Sequence, residues 1–207
     1  MRQLLRRLTI VALFVLGLTA PAMAPQAFAQ GVAADDMILG RANAPVTVIE
    51  YASLSCPHCA AWNKEVWPAF KAKYVDTGKV RYVFREFITS PPQLAAGGAL
   101  LARCAGKDKF FGVVDGVFAA QPEIYAKGDL RGPFLAVAAK AGMNEDRMMA
   151  CLTDQEAMKA LYERIEGYAN NEGIAATPTF VINGQKLEGE QPLAALDAAI
   201  AKAQAGK

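Results

Sequence analysis

Two cysteines separated by two residues are the feature of this sequence with the clearest chemistry. They lie in the run Cys56-Pro57-His58-Cys59, and His58 is the only histidine among the 207 residues. Cysteines at this spacing can close a small disulfide ring or, as thiols, take part in disulfide exchange. Because the thiolate is the species that attacks a disulfide, the surroundings of the first cysteine decide its reactivity.

The elements on either side indicate what those surroundings are. Residues 45–51 are rich in β-branched side chains and predict a buried strand. Apolar side chains then recur every fourth residue, which predicts a helix from Cys59 to about Val75; they are Trp62, Val66, Phe70 and Tyr74. The first cysteine would therefore lie at a helix start, where unpaired N–H groups and the helix dipole favour a thiolate.

Pro57 and His58 are consistent with this interpretation. Pro57 suits the first helical turn because its missing N–H would find no partner there. His58 lies inside the ring and can provide a cationic or hydrogen-bonding partner. A pKa of about 4 for Cys56 would favour the thiolate at pH 7 by ~4 kcal/mol, equivalent to roughly 90 mV. This energy stabilises the reduced form relative to the disulfide, so the oxidised ring would act as an oxidant.

The same cysteine pair could instead be half of a structural zinc site, or an inert disulfide. Zinc would need two further ligands, and Cys104 and Cys151 are the only other cysteines. Neither of them belongs to a second paired motif, and the strand–helix junction argues against an inert link. The sequence favours redox chemistry, with neither a metal ion nor a cofactor.

The first 29 residues have the three-part order of an export signal. Arg2, Arg6 and Arg7 precede an apolar run at residues 8–18, and a stretch of small residues follows, ending at Ala29. The apolar run is shorter than the ~20 residues of a membrane span. We therefore expect cleavage after Ala29, followed by export to a compartment in which cysteines tend to pair.

Residues 30–207 have the length and composition of a single domain. With 53% hydrophobic and 20% charged residues the chain is too apolar for a disordered protein. Its formal net charge of +2 gives no electrostatic basis for nucleic-acid binding.

The pattern along the chain predicts an α/β fold with a helical insertion. Residues 45–87 form a β-α-β unit, and helical patterns alone fill about 93–173, with residues 122–125 as a connection between two helices. The aromatic and methionine side chains of the helices are expected in the core. Strand character returns at 179–182, and the following Asn-Gly pair predicts a hairpin before a closing helix. The order is β-α-β, insertion, β-β-α.

These residues resemble the DsbA-like periplasmic thiol:disulfide oxidoreductases of the thioredoxin-fold superfamily. The resemblance rests on the Glu50-Tyr51 and Cys56-Pro57-His58-Cys59 segments, on residues 38–48 and 78–85, and on Ala176-Thr177-Pro178-Thr179-Phe180. It spans about residues 37–205. It implies a thioredoxin fold with an inserted all-helical subdomain, which is matched by its presence and length rather than by a motif.

The resemblance implies roles for five residues around the ring. Cys56 would be the exposed nucleophile that forms the mixed disulfide with a client, and Cys59 the buried partner that resolves or re-forms the ring. Pro178 would be a cis proline packed against the disulfide, and Thr177 would offer backbone groups to a bound peptide. The other ten prolines give no comparable reason to be cis. In the family, an acid at the position of Glu50 assists proton transfer at the resolving cysteine.

Glu50 ends an otherwise apolar strand, six positions before Cys56. Burial there would raise its pKa towards the range that a proton shuttle needs. The alternative is an exposed carboxylate at the strand end, or one paired with Arg85 or Lys79.

Cys104 and Cys151 both fall in the helical insertion. If Cys56 and Cys59 pair locally, a second disulfide can only join Cys104 to Cys151. The loop would encompass 47 positions, for which the chain-entropy estimate is about 4 kcal/mol of stabilisation. The alternative is two buried free thiols.

The leading functional interpretation is an enzyme that introduces disulfides into unfolded or newly exported cysteine-containing proteins. The resemblance implies reoxidation by a quinone-linked membrane protein. Only about seven residues separate the expected cleavage site from Met37, too few for a dimerising segment, so we expect a monomer. An isomerase or reductase of the same fold remains an alternative, as does a non-catalytic folding-assistance module with a structural disulfide.

Overall fold

The structure is a computed structural model that describes residues 31–205, so the export signal predicted at 1–29 lies outside the described residues. A single mixed sheet has the strand order β1-β3-β2-β4-β5. Its strands are β1 (Met37–Leu39), β2 (Val46–Ala52), β3 (Val80–Glu86), β4 (Thr179–Ile182) and β5 (Gln185–Glu188). The helices are α1 (Pro57–Glu65), α2 (Trp67–Phe70), α3 (Pro92–Cys104), α4 (Lys107–Lys127), α5 (Arg131–Lys140), α6 (Glu145–Leu152), α7 (Gln155–Glu172) and α8 (Leu193–Ala205).

Strands β2 and β3 form the parallel centre of the sheet. Almost all their side chains are buried on both faces, which is typical of parallel strands covered by helices on each side. β4 adds to β2 and β1 adds to β3, both antiparallel. The β-α-β unit predicted from the sequence is confirmed.

Two local features differ from the sequence prediction. Strand β1 has three residues, too few for a period-two pattern to be visible. The helix predicted from Cys59 to about Val75 is interrupted, since α1 ends at Glu65 and α2 begins at Trp67, before a π-helical turn at Lys71–Val75. Pro68 lies at this break, where it lacks the N–H that a continuous helix would use.

Helices α3 to α7 form the insertion between β3 and β4. The prediction that residues 122–125 connect two helices is wrong, because α4 continues through Pro122 to Lys127. Phe118 and Ile124 on either side of the proline are buried, and this packing outweighs the missing backbone hydrogen bond. Most of the large apolar side chains expected in the core are indeed buried, although Met149 is 43% exposed.

A disulfide joins Cys104, at the end of α3, to Cys151 in α6, with a Cα–Cα distance of 5.9 Å. The zinc alternative required both residues as ligands, and the bond withdraws them from that role. Between residues 31 and 205, no cluster of three or more His, Cys, Asp or Glu side chains is arranged to hold a metal ion. Over the same range, no helix combines the length and apolar character of a membrane span.

The β4–β5 hairpin turns at Asn183 and Gly184, as the sequence predicts. Both residues have positive φ, 45° and 87°, the combination that a type I′ turn requires. The Thr177–Pro178 peptide bond that precedes β4 is cis. Ser90–Pro91 is also cis, so the expectation that the other prolines are trans is wrong at this position.

Candidate active site

Cys56 is the N-cap residue of α1, directly after the loop that follows β2. Its Sγ accepts a hydrogen bond from the backbone N–H of Cys59 at 3.4 Å, one of the N–H groups that a helix start leaves unpaired. Its own N–H donates to the carbonyl of Ser53 at 2.9 Å. Pro57 occupies the first helical turn, where no N–H is needed.

The pKa of Cys56 is lowered to about 5, chiefly by a hydrogen bond with the Cys59 side chain. Burial acts in the opposite direction, by disfavouring the charged sulfur. The expectation that Cys56 is exposed is wrong, because the residue is 6% exposed. Hydrogen bonds from Thr177 and from the backbone N–H groups of Cys59 and His58 lower the pKa further. Cys56 is therefore a thiolate at neutral pH, the form that attacks disulfides.

Cys59 has the opposite character. It is fully buried, and burial raises the pKa of its thiol well above the ordinary value. Its hydrogen bond to Cys56 and the charge of the Cys56 thiolate raise that pKa further. At neutral pH Cys56 is therefore the attacking thiolate and Cys59 its protonated partner.

The imidazole of His58 pairs with Glu190, in the loop between β5 and α8. Its side chain is 74% exposed, and the hydrogen bond and charge of Glu190 raise its pKa. The backbone N–H of His58 lowers the Cys56 pKa, and the Cys56 charge also raises the pKa of the His58 ring. The sequence interpretation relied on the ring. Glu190 lies 132 positions from His58, and no local sequence signal identifies it.

Glu50 is 1% exposed and accepts a hydrogen bond from the Tyr82 hydroxyl. Burial raises the pKa of its carboxyl to about 8, with the Tyr82 bond opposing this shift. The alternative of an exposed carboxylate is wrong. Of the two cations proposed as partners, Arg85 instead pairs with Asp36 and Glu172, and Lys79 is exposed.

Thr177, which precedes the cis Pro178, lies beside the reactive sulfur. The Thr177 carbonyl oxygen is 3.4 Å from Cys56 Sγ. The Pro178 carbonyl accepts a hydrogen bond from the N–H of Gly189 at 2.8 Å, which ties this loop to the end of β5. The structure thus brings Thr177 to Cys56, and the role of Thr177 in binding a peptide stays a prediction.

The helical insertion also reaches the site through two side chains that the sequence analysis missed. The buried Gln121 amide donates to the carbonyls of Leu54, at 2.8 Å, and Cys56, at 3.3 Å. The Tyr125 hydroxyl donates to the carbonyl of Ser55. Gln121 and Tyr125 lie one turn apart on α4; Tyr125 falls in the segment predicted as a connection and Gln121 directly before it, so the sequence pattern does not place them on one helix face. Together they hold the loop that presents Cys56.

With this geometry established, comparison with known proteins identifies the family. A family model described as thioredoxin matches residues 33–202. The chain belongs to the thioredoxin family. It is 33% identical over 155 residues to a Rickettsia typhi protein provisionally named a protein-disulfide oxidoreductase, covering 74% of this chain and 57% of that protein. It therefore spans little more than half the length of that relative.

Solved structures place this thioredoxin-family chain near the DsbA proteins. Wolbachia pipientis alpha-DsbA1 superposes with a TM-score of 0.77 at 29% identity, covering 84% of this chain and 94% of that chain. Oxidised BdbD from Bacillus subtilis shares the fold, with a TM-score of 0.71 at 23% identity, over 83% of this chain and 94% of that chain. The predicted α/β thioredoxin fold and its DsbA-like character are confirmed.

Proposed function

We propose that this protein is a periplasmic thiol:disulfide oxidoreductase that donates a Cys56–Cys59 disulfide to exported proteins. The observation that supports this most directly is the contrast between the two sulfurs, with a pKa of about 5 for Cys56 and a strongly raised pKa for Cys59. A stable thiolate at position 56 favours the reduced form, so the oxidised ring tends to pass its disulfide on.

The reaction begins when a client thiolate attacks Cys56 Sγ in the oxidised ring. The bond between the two ring sulfurs breaks, and Cys59 leaves as a buried thiolate. Glu50 is protonated at neutral pH because its pKa is about 8, and it supplies the proton that Cys59 needs. A second client thiolate then attacks the client sulfur of the mixed disulfide, which releases the Cys56 thiolate. The client loses two electrons and the ring gains them.

The surroundings of Cys56 are consistent with a peptide client. The Thr177 carbonyl beside the sulfur would accept a backbone N–H from an extended segment, next to the cis Pro178. Residues 30–207 would act as one domain and as a monomer. A quinone-linked membrane protein would return the ring to its oxidised form, in keeping with the DsbA-like character of the chain.

The redox equilibrium with glutathione tests the proposal. An oxidase should show a ring that glutathione reduces readily and that oxidises a reduced, unfolded client protein. Cys56→Ser should abolish client oxidation, whereas Cys104→Ser should leave it in place. A ring as hard to reduce as an ordinary structural disulfide would contradict the proposal and favour the non-catalytic module. An intermediate potential with efficient disulfide shuffling would favour an isomerase.

A further inference from the structure

Tyr82 is the side chain that binds the buried carboxyl of Glu50. In the parallel pairing of β2 with β3, Glu50 lies opposite Phe84 and Val48 opposite Tyr82. Because side chains alternate between faces along a strand, Glu50 and Tyr82 share one face of adjacent strands. Tyr82 is 2% exposed and its hydroxyl donates to Glu50 Oε2.

Aromatic neighbours hold the Tyr82 ring in place. The centroid of Trp67 lies 4.4 Å from that of Tyr82, and those of Phe111 and Phe70 lie at 6.0 and 6.2 Å. Rings packed at such distances restrict one another's orientation. The hydroxyl is therefore directed at the carboxyl by the packing of the core.

The other groups around Glu50 all disfavour its charge. Burial and the charges of Cys56 and Asp115 raise the pKa of Glu50, and Cys59 faces the same carboxyl. None of these groups is a cation. Among the groups of residues 31–205 that act on Glu50, the Tyr82 hydroxyl is the one that lowers its pKa.

We infer that Tyr82 is a positioning residue that sets the pH at which Glu50 can take the proton of Cys59. The inference rests on the proposed function. Tyr82 donates to the ionised carboxylate and so keeps part of the Glu50 population able to act as a base near neutral pH. A neutral phenol does this without the stronger stabilisation that a buried cation would give, and Glu50 therefore remains mostly a proton donor.

The step that depends on this base is the closing of the ring. With oxidised glutathione as the oxidant, the Cys56 thiolate first attacks one glutathione sulfur and releases one glutathione thiolate. Cys59 then gives its proton to the Glu50 carboxylate, and its sulfur attacks Cys56 Sγ. The bond from Cys56 to glutathione breaks, and the second glutathione leaves as a thiolate that water protonates. The protein loses two electrons and one glutathione disulfide becomes two thiols.

The test compares Tyr82→Phe with Tyr74→Phe in the second of these steps. Tyr74 is a matched control because it is also buried and its hydroxyl donates to Asp197 at 2.6 Å, away from the reacting sulfurs. Acid quenching and mass spectrometry follow the decay of the mixed disulfide at a series of pH values. Tyr82→Phe should move the pH profile upwards by about one unit and slow the step about tenfold at pH 7. Tyr74→Phe should not, and Tyr82→Phe should have no further effect in a Glu50→Gln background.

A direct titration keeps the inference testable even if Tyr82→Phe fails to fold. In the wild-type protein, ¹³C NMR should show the Glu50 carboxyl and the Tyr82 Cζ shifting with one common midpoint, near pH 8. Separate midpoints, or an unchanged ring-closing profile in folded Tyr82→Phe, would overturn the inference. If the wild-type protein exchanges no disulfides, the proposed function fails, and the NMR midpoints still decide whether Tyr82 and Glu50 are linked.

Discussion

The Cys59 thiol, more than the His58 imidazole, should set the reactivity of Cys56. The hydrogen bond with Cys59 is the largest cause of the lowered Cys56 pKa, whereas the His58 ring is paired with Glu190. Cys59→Ala removes the donor, and Cys59→Ser keeps one. A hydrogen bond to a charged group contributes about 1.5–3 kcal/mol, or about one to two pKa units. We expect the Cys56 pKa to rise by that amount in Cys59→Ala and by much less in Cys59→Ser.

The same pKa sets the oxidising strength of the ring. A Cys56 pKa of about 5 replaces an ordinary value of 9.0. At pH 7 the interval between pH 5 and pH 7 contributes ~2.7 kcal/mol to the reduced form before solvent screening. Solvent screening reduces this to about 2 kcal/mol, equivalent to about 40 mV or a thirtyfold shift in the glutathione equilibrium. Because the depressed pKa stabilises the reduced form, this gain grows as pH rises from 5 to 9. It is lost as pH falls through 5.

The assay is the ultraviolet absorbance of the thiolate as a function of pH. In both Cys59 variants Cys56 is the one free thiol, because Cys104 and Cys151 are bonded to each other. The rate of alkylation over the same pH range gives an independent measure of the thiolate. A Cys56 pKa that stays near 5 in Cys59→Ala would refute the reasoning, as would a larger rise in His58→Ala.

Three further changes, with Gln155→Ala as a surface control, test the second disulfide and two contacts of the site. Replacing both cysteines of the second disulfide with alanine should lower the free energy of unfolding by about 4 kcal/mol, measured by denaturant titration, and leave the Cys56 pKa near 5. Gln121→Ala removes the side-chain donor to the carbonyls of Leu54 and Cys56, of which that of Cys56 keeps the bond from the N–H of Ala60, and should cost about 1–3 kcal/mol in the same assay. Gln155→Ala, at an exposed position, should change stability by less than about 0.5 kcal/mol. Glu190→Gln should lower the pKa of His58, whose NMR titration is unambiguous because the sequence has one histidine; an unchanged midpoint would show that the ion pair does not form in solution.

The parts of the fold with local signals were predictable from the sequence. The β-α-β unit, the placement of the Cys56–Cys59 motif and the hairpin at Asn183 depend on residue types within one or two turns of chain, which is the range over which period and turn chemistry operate. The prediction failed for α4, because a proline is a strong local signal for a break. The packing of its neighbours, which the sequence does not display, kept the helix intact.

The sequence by itself determined which atoms can react, since a cysteine pair at a helix start has a thiolate-stabilising environment before any distant contact forms. Only the tertiary structure decided the pKa values of the groups that carry those atoms. Tyr82 contacts Glu50 because of the strand register, and Gln121 contacts the active-site loop because of helix packing. Glu190 pairs with the His58 ring although 132 positions separate them in the chain. Hydrogen bonds and buried charges act over a few ångströms in space whatever the separation along the chain, so the pKa values of the site emerge only when the fold brings these groups together.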